Sequence, residues 1–143
     1  MTRTSGHADH RFAAARDEAF VKSAVTVRAT RTSPSTIEVT LAPAAVGHAF
    51  PTGDLFRRVR ITAGGKQRFL ARHFANRQEL PGVVVRAEVG DDRVLAGERS
   101  VVLDVPPEKT RVRVVYERAE GPSDATTSRA RVAGAIALFD AER

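Results

Sequence analysis

From Val25 onward apolar and polar residues alternate singly: Val25, Val27 and Ala29 against Thr26, Arg28 and Thr30, then Ile37, Val39 and Leu41 against Glu38 and Thr40. A strand turns successive side chains to opposite faces, so a period of two predicts half-buried strands. Further strands are expected over Leu55–Ala63, Gln67–Phe74, Val83–Val89, Arg99–Val105, Arg111–Glu117 and Arg131–Phe139. Turn formers separate them at Ser33-Pro34-Ser35, Gly64-Gly65, Pro81-Gly82, Gly90-Asp91-Asp92, Pro106-Pro107 and Gly121-Pro122. Upstream the period lengthens. Phe12, Ala15, Ala19 and Phe20 recur at near-helical spacing among Arg16, Asp17, Glu18 and Lys22, which predicts a short helix between Phe12 and Ala24. With no second helical stretch to carry crossovers between parallel strands, the pattern predicts an all-β fold. The expected architecture is an antiparallel two-sheet, Ig-like sandwich with a short N-terminal helix. Residues 1–24 form the segment bearing the helix, and residues 25–143 the sandwich.

A chain of 143 residues, 42% hydrophobic and 28% charged, is sized and composed for one soluble core. Its longest apolar run, Ala133–Phe139, falls far short of the ~20 residues that span a bilayer, so no membrane span is expected. Residues 1–7 hold no apolar stretch of a signal peptide or anchor, and any export signal is expected outside this chain. The polar stretch from Glu120 to Ser128 reads as a mobile surface loop.

The 23 basic residues outnumber the 17 acidic ones, and only Lys22, Lys66 and Lys109 are lysines. A net charge of +6 invites a nucleic-acid reading. The arginines, however, are scattered through almost every segment, as an Ala-, Arg- and Val-rich composition from a GC-rich genome would scatter them. One tyrosine and no tryptophan leave little with which to stack bases, so no sequence-specific nucleic-acid partner is expected. Arg58, Arg60, Arg111 and Arg113 fall on the polar side of their strands, where a solvated sheet face is expected.

Without cysteine the chain can form no disulfide, thiolate metal site or covalent haem attachment. Its histidines, His7, His10, His48 and His73, lack the helical spacing and carboxylate company of a zinc enzyme. No serine has the glycine-flanked elbow of a hydrolase, and Ala63-Gly64-Gly65-Lys66 is a hairpin turn, not a phosphate loop. No catalytic residue is therefore assigned. Only the connection Val46–Asp54 stands out, because Gly47 and Gly53 permit unusual backbone angles, Pro51 stiffens it, and His48 is presented between them. Its imidazole either serves a function or only hydrogen-bonds the turn together.

The run Gly47-His48-Ala49-Phe50-Pro51-Thr52-Gly53, followed by Arg57 and Arg58, resembles the Gly-His-x-hydrophobic-Pro-Thr-Gly signature of the C-terminal β-sandwich domain of bacterial multihaem cytochromes c. Asp9-His10-Arg11-Phe12 and then Arg16-Asp17-Glu18-Ala19-Phe20 resemble the His-x-Phe segment and helix that precede it there. Asp92-Arg93-Val94-Leu95-Ala96-Gly97-Glu98-Arg99 resembles the family's acidic–basic–hydrophobic turn into a strand, and Val114-Val115-Tyr116 resembles its penultimate strand. The resemblance runs through nearly the whole chain, most strongly from His10 to Arg60 and weakly after Val105.

This resemblance implies a non-catalytic module that supplies distal axial histidines and a docking surface for electron transfer. Residues 1–24 would then be the junction to the haem-bearing region. The ligands implied are His10 and His48, with His7 close enough to His10 to compete, while His73 is structural or exposed. Haem c would be carried by another region of the same parent protein or by a cytochrome partner, in the periplasm or cell envelope, since this chain binds none covalently. The alternative is a freestanding adhesion or carbohydrate-binding sandwich whose Gly-His loop is structural.

Overall fold

The computed structural model describes residues 16–44, 50–51, 56–93, 97–120 and 130–143. The helix α1 spans Glu18–Ser23, and its N-cap Asp17 accepts a hydrogen bond from the Phe20 N–H at 3.0 Å. Glu18 in the first turn and Lys22 in the last both oppose the helix dipole favourably. So short a helix has room for one inward residue, and it is Val21. Ala19 and Phe20, expected on the packed face, are instead exposed. Residues 12–15 of the expected helix lie outside the described residues.

Among the described residues nine strands follow: β1 (Val25–Ser33), β2 (Thr36–Pro43), β3 (Arg57–Ala63), β4 (Lys66–Leu70), β5 (Arg72–Leu80), β6 (Val83–Asp91), β7 (Arg99–Asp104), β8 (Arg111–Ala119) and β9 (Val132–Glu142). All pairings are antiparallel. One sheet has the order β1-β2-β7, a second β4-β3-β8-β9, and β5 with β6 makes a separate two-stranded ribbon. The all-β sandwich with a short N-terminal helix is therefore the fold. No helix among the described residues is long and apolar enough to cross a membrane.

The core lies between the two larger sheets. Ile37, Val39 and Leu41 of β2 meet Val59 and Ile61 of β3 and Val112, Val114 and Tyr116 of β8 in one cluster, and all are buried. The period of two produces this directly, because each strand contributes every second residue to the same slab. At one edge Arg143 ties the sheets together. Its backbone exchanges two hydrogen bonds with Thr110, and its guanidinium donates to the Ala29 carbonyl of β1 at 2.8 Å.

The turns expected at Ser33-Pro34-Ser35, Gly64-Gly65 and Pro81-Gly82 join β1 to β2, β3 to β4 and β5 to β6. Gly64 and Gly65 both hold positive φ, 54° and 76°, the two-residue turn whose twist suits a hairpin. Two expectations need correction. The single strand predicted over Gln67–Phe74 is two strands, broken at Ala71, and the second continues to Leu80. The break expected at Gly90-Asp91-Asp92 comes later, since β6 runs through Asp91 and accommodates an extra residue, Val89, as a bulge.

Candidate functional site

The connection between β2 and β3 carries the Gly-His signature, and its described part is Phe50 and Pro51. Phe50 is buried in the core, its ring centroid 6.0 Å from that of Tyr116 at an interplanar angle of 44°. A tilted aromatic pair of this kind adds to the simple burial of the ring. The peptide between Phe50 and Pro51 is cis. Immediately after it, the Pro51 carbonyl accepts a hydrogen bond from Nη1 of the buried Arg93 at 3.0 Å.

Arg93 is itself held by Asp91. Its Nε donates to Oδ1 at 2.9 Å and its Nη2 to Oδ2 at 2.6 Å, while its own N–H donates to Oδ1 at 3.1 Å. Such a fork satisfies a buried guanidinium along both of its directions. Burial by itself would raise the Asp91 carboxyl, but the hydrogen bonds and charge of Arg93, with the charge of Arg72, hold it below its ordinary value of 3.8. A residue 42 positions downstream thus pins the connection that bears the histidine, and the sequence contains no local sign of that contact.

Beside this clamp lies the root of the ribbon. Asp92 accepts the Ala71 N–H at 2.7 Å through Oδ1, and its own N–H donates to the Ala71 carbonyl at 3.1 Å. The same oxygen lies 3.0 Å from Nε2 of His73, and Oδ2 lies 3.5 Å from Arg68. His73 is half-buried against a carboxylate. The sequence reading of it as structural or exposed covers both halves of that position.

Arg58 is a correction. Read as part of a solvated face, it is 2% exposed, with Nε 2.8 Å and Nη2 2.7 Å from Oε2 of Glu117, its cross-strand neighbour on β8. Arg60 reaches the other oxygen of Glu117 at 2.6 Å, and the Arg58 guanidinium stacks 4.3 Å from the Phe69 ring centroid. A planar cation can be buried in this way when a carboxylate and an aromatic face share it. Arg111 and Arg113 are exposed as expected, sharing Asp140.

His7, His10 and His48, the three histidines implied as axial ligands, lie outside the described residues, as do 121–128 of the expected loop. Among the described residues no group of three or more His, Cys, Asp or Glu side chains could hold a metal ion. The chain has no match among protein-family models, curated proteins or solved structures.

Proposed function

We propose that this chain is the β-sandwich module of a multihaem electron-transfer protein of the periplasm or cell envelope, presenting His48, and separately His10, as distal imidazoles to haems held elsewhere. The observation that carries the reading is the Gly47–Gly53 signature, with Phe50 built into the core and Pro51 fastened by Arg93. A loop anchored at a buried aromatic two residues after a histidine spends little entropy in holding that histidine for a ligand. The absence of cysteine fits this division of labour. Haem attachment needs thiols that the chain lacks, whereas an axial bond needs only a neutral imidazole nitrogen. Two-histidine ligation closes the sixth position of the iron and favours electron transfer over substrate binding, so the module has no catalytic step of its own.

The test replaces His48 by Ala in the haem-bearing protein that carries the module. One low-spin haem should become high-spin in electron paramagnetic resonance and bind an added ligand, with a shifted reduction potential. His10→Ala should act on a different haem and His73→Ala on none. Unchanged haem signals together with a lowered melting temperature would make His48 a structural turn residue.

A further inference from the structure

The ribbon of β5 and β6 is left without cover. Neither strand hydrogen-bonds to a third among the described residues, and no residue of either is buried, only Arg72, His73 and Phe74 of β5 and Val85, Ala87 and Asp91 of β6 being partly so. Val83, Val84 and Val89 of β6 are 45%, 61% and 65% exposed. Two strands alone are marginal in water, and a free edge bearing valines is a template for another strand.

We propose that the outer edge of β6 pairs with β6 of a second copy of this chain, antiparallel about a two-fold axis at Ala87. The sequence Val85-Arg86-Ala87-Glu88-Val89 is complementary to itself when reversed. About that axis Arg86 stands opposite the second copy's Glu88, Ala87 opposite its Ala87, and Glu88 opposite its Arg86. Ala87 is the midpoint of Val83–Asp91, and the strand is regular through Arg86, Ala87 and Glu88 up to the bulge at Val89. Moving the axis one residue either way sets Arg86 or Glu88 against its own copy, which like charges directly opposite disfavour. The outer edge of β5 offers less. The register that opposes Arg77 to Glu79 centres on Gln78, two residues from the strand's end, and leaves residues 72–75 unpaired. A two-fold contact of this kind closes on itself and yields a dimer with a four-stranded ribbon, β5-β6-β6-β5, instead of an open chain.

Charge exchange tests the register. The wild-type chain should sediment at equilibrium with twice its 15.5 kDa mass at about 100 μM. Arg86→Glu alone and Glu88→Arg alone each set like charges opposite one another twice, and each should raise the dissociation constant at least about tenfold. Mixing the two single variants should restore a dimer, now of one copy of each, because every opposed pair is again of unlike sign. The double variant Arg86→Glu with Glu88→Arg should dimerise like wild type. A monomeric wild type at that concentration overturns the proposal, as do single variants that dimerise unchanged or a mixture that stays monomeric. The measurement involves no haem, so its failure leaves the reading of His48 standing, and the reverse holds too.

Discussion

Glu117 neutralises two arginines, one of them buried, and its loss strands the Arg58 charge in a place that water does not reach. Breaking a buried pair from one side costs about 3–5 kcal/mol, so Glu117→Ala should lower the urea midpoint by the equivalent amount. Replacing Arg58 and Glu117 together by Met and Leu should recover most of that loss, since no buried charge then remains. A second residue-scale expectation concerns acid. The Asp91 carboxyl titrates below its ordinary value in the folded chain, so it adds stability above pH 3.8 that disappears as pH falls through the folded value. In urea titrations at falling pH, the advantage of wild type over Asp91→Asn should be full near neutrality and shrink below pH 3.8. At this scale the sequence is least informative. Arg58 alternates with Val59 as any outward-facing arginine would, and the partner that makes its burial possible is 59 positions away.

Strands were legible wherever one face is buried, because there the period of two is enforced by the core, as Ile37, Val39 and Leu41 demonstrate. Where no residue is buried the signal is uneven: β6 was legible from its valines, but its partner was not in full. Residues 75–79 fall outside the strand expected over Gln67–Phe74 yet belong to β5, since a ribbon needs only its partner strand. The break at Ala71 was equally hidden, because Asp92, 21 residues on, fixes it through both main chain and side chain. The Gly-His connection was legible as a shaped loop from its glycines and proline, but its fastening by Arg93 was not. One turn that was legible also gives a sharp expectation. A Cβ on Gly64 would lie 2.6 Å from Cδ of Pro106 and 3.2 Å from Cβ of Val105, at a φ of 54° that side chains disfavour. Gly64→Ala should therefore cost about 1–3 kcal/mol in denaturant unfolding with the slope unchanged, whereas the corresponding change at Gly65 meets no atom and costs only its backbone strain.

Across the molecule the excess of arginine is broken up by carboxylates. Arg28 lies near Glu98, Arg68 near Asp92, Arg72 near Glu88 and Asp91, and Arg111 and Arg113 near Asp140, spread over all three sheets. A field so divided should give weak, sequence-blind DNA association that is lost on raising salt from about 50 to 200 mM in a fluorescence anisotropy titration. Sequence-selective binding at the higher salt would contradict that picture. The same scale reveals why the ribbon and the sandwich differ in what they constrain. Every sandwich strand contributes to a shared core, so a change in length there shifts side chains to the wrong face. The ribbon leaves from Ala71 and returns at Asp92, two residues hydrogen-bonded to each other, and past its root, where Asp91 grips Arg93, none of its residues joins the core cluster. Shortening or extending it in matched pairs of residues across the hairpin would alter its reach while the core stays as it is. The excursion is in effect an adjustable arm, whose length can change while the clamp of Arg93 on Pro51 keeps its setting.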